Sequence, residues 1–252
     1  MVTFRDLFSA GSHDYAKFRP RYPAALFDWL AAETRSHGCV WDCGTGSGQA
    51  AVALGEIFRL VVATDASSAQ LAAAEPHARV RYVRCRAEAA AFAARSVDAV
   101  TVAQAVHWFD MPAFFREAER VAKRDALVAV WTYGNLRMPP EVEALFVPFY
   151  EGVVGPYWPP ERRLIEREYQ DVPMPFDPVP APAMAIEMPI TLDVLAGYIS
   201  TWSATHRYRE IVKKDPVPAF MESVAKVWGD PASAKPGVWP VTIRAGRVSS
   251  SL

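Results

Sequence analysis

Three glycines at alternate positions, Gly44, Gly46 and Gly48, stand between a short apolar run ending in Asp42 and Cys43 and an alanine-rich segment that begins at Gln49. Glycine at this spacing lets the main chain approach a ligand closely, and a helix that starts directly afterwards leaves its first amides free to face that ligand. A dinucleotide fingerprint counted from Gly44 needs a glycine where this chain has Gln49, and the carboxylate of Asp42 beside the turn would repel a pyrophosphate. The same carboxylate would attract an ammonium or a sulfonium. A second acidic residue, Asp65, closes the next β-rich run 21 residues after Gly44, where a carboxylate can accept from both hydroxyls of a ribose. The glycine turn and the two carboxylates together describe a nucleoside with a cationic amino-acid arm, and S-adenosylmethionine is a ligand of that description.

Such groups need a sheet to hold them at one edge. Short β-branched runs at 40–43, 60–64, 80–85, 97–103, 126–131, 184–188 and 241–247 alternate with helical patterns, the signature of βαβ units. The helical segments run from Pro23 to about His37-Gly38, over 49–57, over 69–74, from an Asp110 cap with Pro112 in the first turn, and over 191–206. The expected fold is an α/β, doubly wound, seven-stranded and mostly parallel sheet. Proline marks its limits: between Ala24 and Met111 the chain has only Pro76, whereas 139–182 holds eleven prolines among Phe146, Phe149, Tyr150, Tyr157, Trp158 and Phe176. A stretch of this kind cannot continue regular strands. It reads as an aromatic insertion at about 135–182 that covers the substrate, within a domain spanning 24–252 and preceded by a lid segment, 1–23.

Composition removes several function classes. With 27 basic against 28 acidic residues and a net charge of −1, the chain lacks the basic footprint that neutralises a nucleic-acid backbone. No apolar stretch reaches the ~20 residues that span a bilayer, and Met1-Val-Thr-Phe-Arg-Asp-Leu has no leader pattern, so a cytoplasmic location is expected. Cys39, Cys43 and Cys85 complete no zinc pattern and read as reduced, buried thiols. No metal is expected. Arg162-Arg163 and Lys213-Lys214 read as solvated charge pairs.

At these residues the sequence resembles the class I S-adenosylmethionine-dependent methyltransferases. Asp42-x-Gly44-x-Gly46-x-Gly48 resembles their first motif, and Asp65, with Ala66 beside it, their ribose clamp. Arg86-Ala87-Glu88 is similar to the segment that lines the adenine, and Ala103-Gln104-Ala105-Val106-His107-Trp108-Phe109-Asp110 to the one facing the methionine arm and the acceptor. Tyr15-Ala-Lys-Phe-Arg19-Pro20-Arg21-Tyr22-Pro23 and Gly197-Tyr-Ile-Ser-Thr-Trp-Ser203 resemble the lid and a helix of a small-molecule subgroup that includes trans-aconitate methyltransferase-like proteins. The resemblance implies cofactor contacts from Tyr15, Arg19, Asp42, Gly44, Gly46, Gly48, Asp65, Ala66, Ala87, Glu88 and Gln104. Arg19 would pair with the methionine carboxylate, and Gln104 would present its backbone to that arm.

His107, just past the fourth strand at the ligand-binding edge, is the candidate catalytic residue for proton transfer. The chain lacks the Asn/Asp-Pro-Pro-Tyr clamp that holds a flipped base. The expected acceptor is therefore a small molecule methylated on oxygen or nitrogen, a carboxylate included, by a monomer or homodimer. Two alternatives remain at this level: a cofactor-binding regulator without catalysis, and a nicotinamide-dependent oxidoreductase, which Gln49 and Asp42 both disfavour.

Overall fold

Residues 18–249 are described in the computed structural model, where the β-branched runs pair into one mixed sheet. Helix α1 (Ala24–Glu33) buries Leu26 and Leu30 and ends before the expected His37-Gly38. The cause is Thr34, which turns extended while its hydroxyl donates to Leu30 O at 2.7 Å. Strand β1 (Cys39–Cys43) lies at the centre, with β2 (Leu60–Asp65) and then β3 (Val80–Arg84) on one side. Strands β4 (Val97–Ala103) and β5 (Ala122–Tyr133) follow on the other, and all these pairings are parallel. The chain builds outward from β1 in one direction and then returns to build in the other. The crevice beyond the carboxyl ends of β1 and β4 is thus a topological switch point, the place where open α/β sheets bind ligands.

Helices α2 (Gln49–Ile57), α3 (Ser68–Ala72) and α4 (Met111–Val121) make the crossovers. Asp110 caps α4 by accepting from Ala113 N at 3.1 Å, and the helix buries Phe114, Phe115, Ala118 and Val121, as its 3/4 spacing predicts. The insertion folds as α5 (Pro140–Pro148), a π-turn at Phe149–Val153, a 3₁₀ turn at Gly155–Tyr157 and α6 (Arg162–Glu166). After the two-residue β6 (Asp177–Pro178) come β7 (Met184–Ile190), α7 (Leu192–Ser200), α8 (Ser203–Val212), α9 (Val217–Trp228) and β8 (Lys235–Arg247).

Strand β8 runs antiparallel, pairing through its carboxyl half with β5 and through its amino half with β7. Setting aside the short β6, seven strands form the sheet. The expected start of the last strand at 241 is too late, because Pro236 and Pro240 read as breakers whereas the ladder from Lys235 accommodates both. The helix expected over 191–206 is two helices. Thr201 gives its hydroxyl proton to Tyr198 O at 2.6 Å and Trp202 is extended, so α8 starts afresh.

Apolar residues collect in three places. One layer, with Trp41, Val100, Phe114, Val128 and Phe176, covers one face of the sheet. A second, with Leu26, Leu54, Phe58 and Trp131, covers the other. The third lies beneath the insertion and is mostly rings: Phe146, Phe149, Tyr150, Trp202, Phe220 and Trp239.

Candidate functional site

The glycine turn leaves β1 with both Gly44 N and Thr45 N donating to Thr64 O, at 2.8 and 2.9 Å. Gly44 has φ +70°, and a Cβ there would sit 2.6 Å from Ala105 Cβ and 2.9 Å from the Phe109 ring. Gly48, at the start of α2, has φ +83°, and its Cβ would sit 2.2 Å from the Tyr82 hydroxyl. Only glycine satisfies both the dihedral and the space. At Gly46, φ +56°, the nearest atom of the described residues to an added Cβ is Gln70 Oε1 at 3.7 Å, so these residues do not crowd that face of the turn.

Asp42 is fully buried below the turn, accepting from Thr45 Oγ1 at 2.6 Å and Thr101 Oγ1 at 3.0 Å. Burial pushes its carboxyl up to about 6, although the two hydroxyls pull the other way. Asp65 ends β2 with Oδ2 accepting from Gly46 N at 2.9 Å and Oδ1 from Ser67 N at 2.8 Å. Its carboxylate is oriented by the glycine turn itself. Ala66 follows, half-buried, its carbonyl accepting from Arg84 Nε at 3.2 Å. Beyond β3, Ala87 is buried, while Glu88 takes Asp110 N at 3.1 Å on one oxygen and pairs with Arg86 Nε at 3.2 Å on the other. The loop after β3 is therefore tied to the start of α4.

Gln104 follows β4 in the left-handed region, φ +53°. Its side chain turns to β5, accepting from Thr132 Oγ1 at 2.5 Å and donating to Tyr133 O at 3.3 Å. Arg19 joins the ends of β5 and α7: it donates to Tyr133 Oη at 3.2 Å, to Thr201 Oγ1 at 3.1 Å and to Thr201 O at 3.3 Å, and lies 5.4 Å from the Tyr198 ring centroid. Tyr15 falls outside the described residues. His107 sits in a 3₁₀ turn, Val106–Trp108, with 6% of its surface exposed and Nδ1 at 2.7 Å from Tyr169 Oη. Burial, reinforced by the positive charge of Arg162, pulls its imidazolium down to about 3, so the ring is neutral.

Several residues of the roof escape a sequence reading. Arg162 is half-buried, whereas Arg163 beside it is exposed, which corrects the solvated-pair expectation for Arg162. Its Nε donates to Tyr150 Oη at 2.9 Å, its Nη2 to Asn135 Oδ1, and its guanidinium lies 4.6 Å from the Trp158 ring centroid. Tyr150 passes its own proton to Glu166 Oε1 at 2.7 Å. Among the described residues no carboxylate oxygen lies within ion-pair distance of Arg162, and Trp158 Nε1 is sealed without a partner. Spacing could not flag these residues, which meet only through the folding of the insertion. Among the described residues no group of three potential metal ligands occurs, and no helix is long and apolar enough to cross a membrane.

A three-glycine turn at the switch point, a carboxylate at the end of β2 and an antiparallel β8 define the Rossmann-like methyltransferase class of α/β proteins. Residues 41–130 match the family described as "Methyltransferase domain". The chain is similar to a Dictyostelium discoideum protein named as a methyltransferase, with 31% identity over 229 residues covering 89% of this chain and 87% of that protein. It is also similar to an Anaeromyxobacter dehalogenans protein whose structure is described as that of a type II methyltransferase: 41% identity, TM-score 0.86, covering 92% of this chain and 99% of that one. A Saccharomyces cerevisiae protein named as an S-adenosylmethionine-dependent methyltransferase is 28% identical over 131 residues, 48% of this chain and 45% of that protein. The chain belongs to this family and is an S-adenosylmethionine-dependent methyltransferase. Its residues suit that cofactor: the described residues leave the turn uncrowded at Gly46, a carboxylate is held beside it, and a buried negative charge lies beneath.

Proposed function

We propose that the protein methylates a small anionic acceptor, a carboxylate oxygen foremost, held between the carboxyl edge of the sheet and the aromatic roof. Arg162 carries this reading: a half-buried cation, stacked on Trp158 and Tyr150 and in no direct ion pair among the described residues, is a counter-charge suited to an anion. The trans-aconitate methyltransferase-like resemblance of the lid and of α7 agrees with it.

When bound, S-adenosylmethionine supplies an electrophilic methyl group on sulfur. In this reading Asp65 and Ala66 hold the ribose, Ala87 and Glu88 border the adenine, and Gly44, Gly46, Gly48 and the backbone of Gln104 line the methionine arm above the charge of Asp42. Arg19 and Tyr15 close the lid, 1–23, over its carboxylate. Arg162 orients the acceptor, and the rings of Tyr150, Trp158 and Trp202 exclude water from the displacement. A carboxylate is ionised at neutral pH and needs no proton removed, which agrees with a His107 too weakly basic to store one. The same reading places a monomer or homodimer in the cytoplasm, without nucleic-acid substrates, as the net charge of −1 supports.

Calorimetric titration with S-adenosylmethionine and S-adenosylhomocysteine, alongside NAD and NADP, is the first test, followed by methyl transfer to a panel of small acids, phenols and amines. Binding of the sulfur nucleosides alone and turnover of acids is the expected result. Turnover confined to amines or phenols would overturn the anionic acceptor. Cofactor binding with no transfer to any acceptor class would favour a binding-only regulator.

A further inference from the structure

Among the buried groups of the roof, Tyr169 has the most constrained setting. It follows α6 in a chain reversal where Glu168 and Tyr169 both adopt left-handed backbone, φ +53° and +54°, a conformation that side-chain-bearing residues hold only when their surroundings fix it. The reversal drives the phenol ring into the core beside the sheet, fully buried. Its hydroxyl ends 2.7 Å from His107 Nδ1. A buried phenol retains its proton, and burial raises the Tyr169 hydroxyl well above the usual range. That proton requires an acceptor.

The Thr132 hydroxyl, also near the phenol, gives its own proton to Gln104 Oε1 at 2.5 Å, and the short contact open to the phenol's proton is the one to His107 Nδ1 at 2.7 Å. A neutral imidazole that accepts at Nδ1 carries its hydrogen on Nε2. Among the described residues the sealed side-chain atoms without partners are Nε1 of Trp131 and Nε1 of Trp158. His107 Nε2 makes no hydrogen bond among the described residues and is not one of these sealed atoms, which leaves its hydrogen for a ligand.

We propose that Tyr169 is a positioning residue that locks His107 as the Nε2–H tautomer, so that His107 donates a hydrogen bond to the bound acceptor and takes no proton from it. The acceptor part of this inference rests on the anionic-acceptor reading above. A site with the Arg162 guanidinium and an imidazole N–H, and no competing base, selects acceptors that arrive ionised.

The test is ¹⁵N NMR of the histidine side chains in the whole protein, with His107 assigned by its loss in H107Q. The expected spectrum has a pyridine-type Nδ1 and a pyrrole-type Nε2, unchanged between pH 5 and pH 8. In Tyr169→Phe, which keeps the ring and removes the hydroxyl, both signals shift toward a tautomer mixture. That variant should keep its S-adenosylhomocysteine affinity and lose on the order of 10-fold in kcat/KM on the acid acceptor. A protonated Nδ1 in the parent protein, or a His107 signal that Tyr169→Phe does not move, would overturn the proposal. Because the spectrum needs no acceptor, failure to find methyl transfer would sink the function proposed above without deciding the tautomer. Should Tyr169→Phe not fold, the parent spectrum alone decides it.

Discussion

The glycine-turn half of the site and its aromatic roof are held by different physics. In the first, the cradle is a main-chain turn held by short local hydrogen bonds: the Thr64 carbonyl collects two amides, the Asp65 carboxylate grips Gly46 N and Ser67 N, and Asp42 is fixed by the Thr45 and Thr101 hydroxyls. In the second, side chains from Asn135, Tyr150, Trp158, Arg162 and Glu166 meet by ring packing and by hydrogen bonds around one guanidinium. Main-chain geometry that requires positive φ admits no added atom, whereas packed rings tolerate exchange at similar volume. The difference separates the labour: the rigid half suits a single invariant ligand, and the roof is where acceptor choice can be set.

The sharpest test of that contrast is to add one carbon to each half. Gly44→Ala should cost about 3 kcal/mol, from left-handed strain and overpacking against Ala105 and Phe109. Cofactor binding should fall at least ~100-fold, read by calorimetry beside a thermal melt. Gly152→Ala in the roof, with nothing of the described residues within 4 Å of the added Cβ, should stay within about 0.5 kcal/mol of the parent. Equal effects would erase the distinction between the two halves.

Next in size, Asp65→Ala should weaken S-adenosylmethionine binding by ~10-fold or more, the ~1.5–3 kcal/mol of a charged hydrogen-bond site. Unchanged affinity would remove the ribose role from this carboxylate. Arg162→Met, which keeps the stem and removes the charge, should raise KM for an acid acceptor by about 10-fold while leaving cofactor affinity unaltered. A cofactor defect instead would place Arg162 in the wrong half of the site.

The smallest effect should come from Asp42→Asn, which trades stability against binding. The folded carboxyl titrates near 6, above its value in the unfolded chain, so the stability tied to its protonated form is complete at acid pH and lost as pH rises through about 6. Asp42→Asn should therefore melt above the parent at pH 7, with the gap narrowing as pH falls toward 4. His107, whose buried ring refuses a proton that the unfolded chain accepts, loses stability in the same window as pH falls. The measurement is thus variant against parent at each pH. The same change should weaken cofactor binding about fivefold through the lost negative charge; a variant as unstable as the Gly44 one would contradict the burial cost assigned to Asp42.

The amino-acid sequence by itself determined the parts whose constraints are local. Glycines at 44, 46 and 48, an acid closing each of two strands, and Asp110 followed by Pro112 each need neighbours only a few positions away, and period-2 and period-3.6 apolar patterns mark the strands and helices between them. Tertiary structure alone decided what depends on distant partners. Thr201 and Trp202 break one expected helix into two, the β7 ladder extends β8 through Pro240 and Pro236, and Arg162 leaves solvent because Asn135, Tyr150 and Trp158 fold around it. His107 was visible as a residue at the binding edge, but its protonation was not, since that is set by burial and by a phenol 62 positions along the chain. Local propensity acts over a turn or a strand, while desolvation and the pairing of polar groups depend on which atoms share a volume, and the sequence carries that information only through the completed fold.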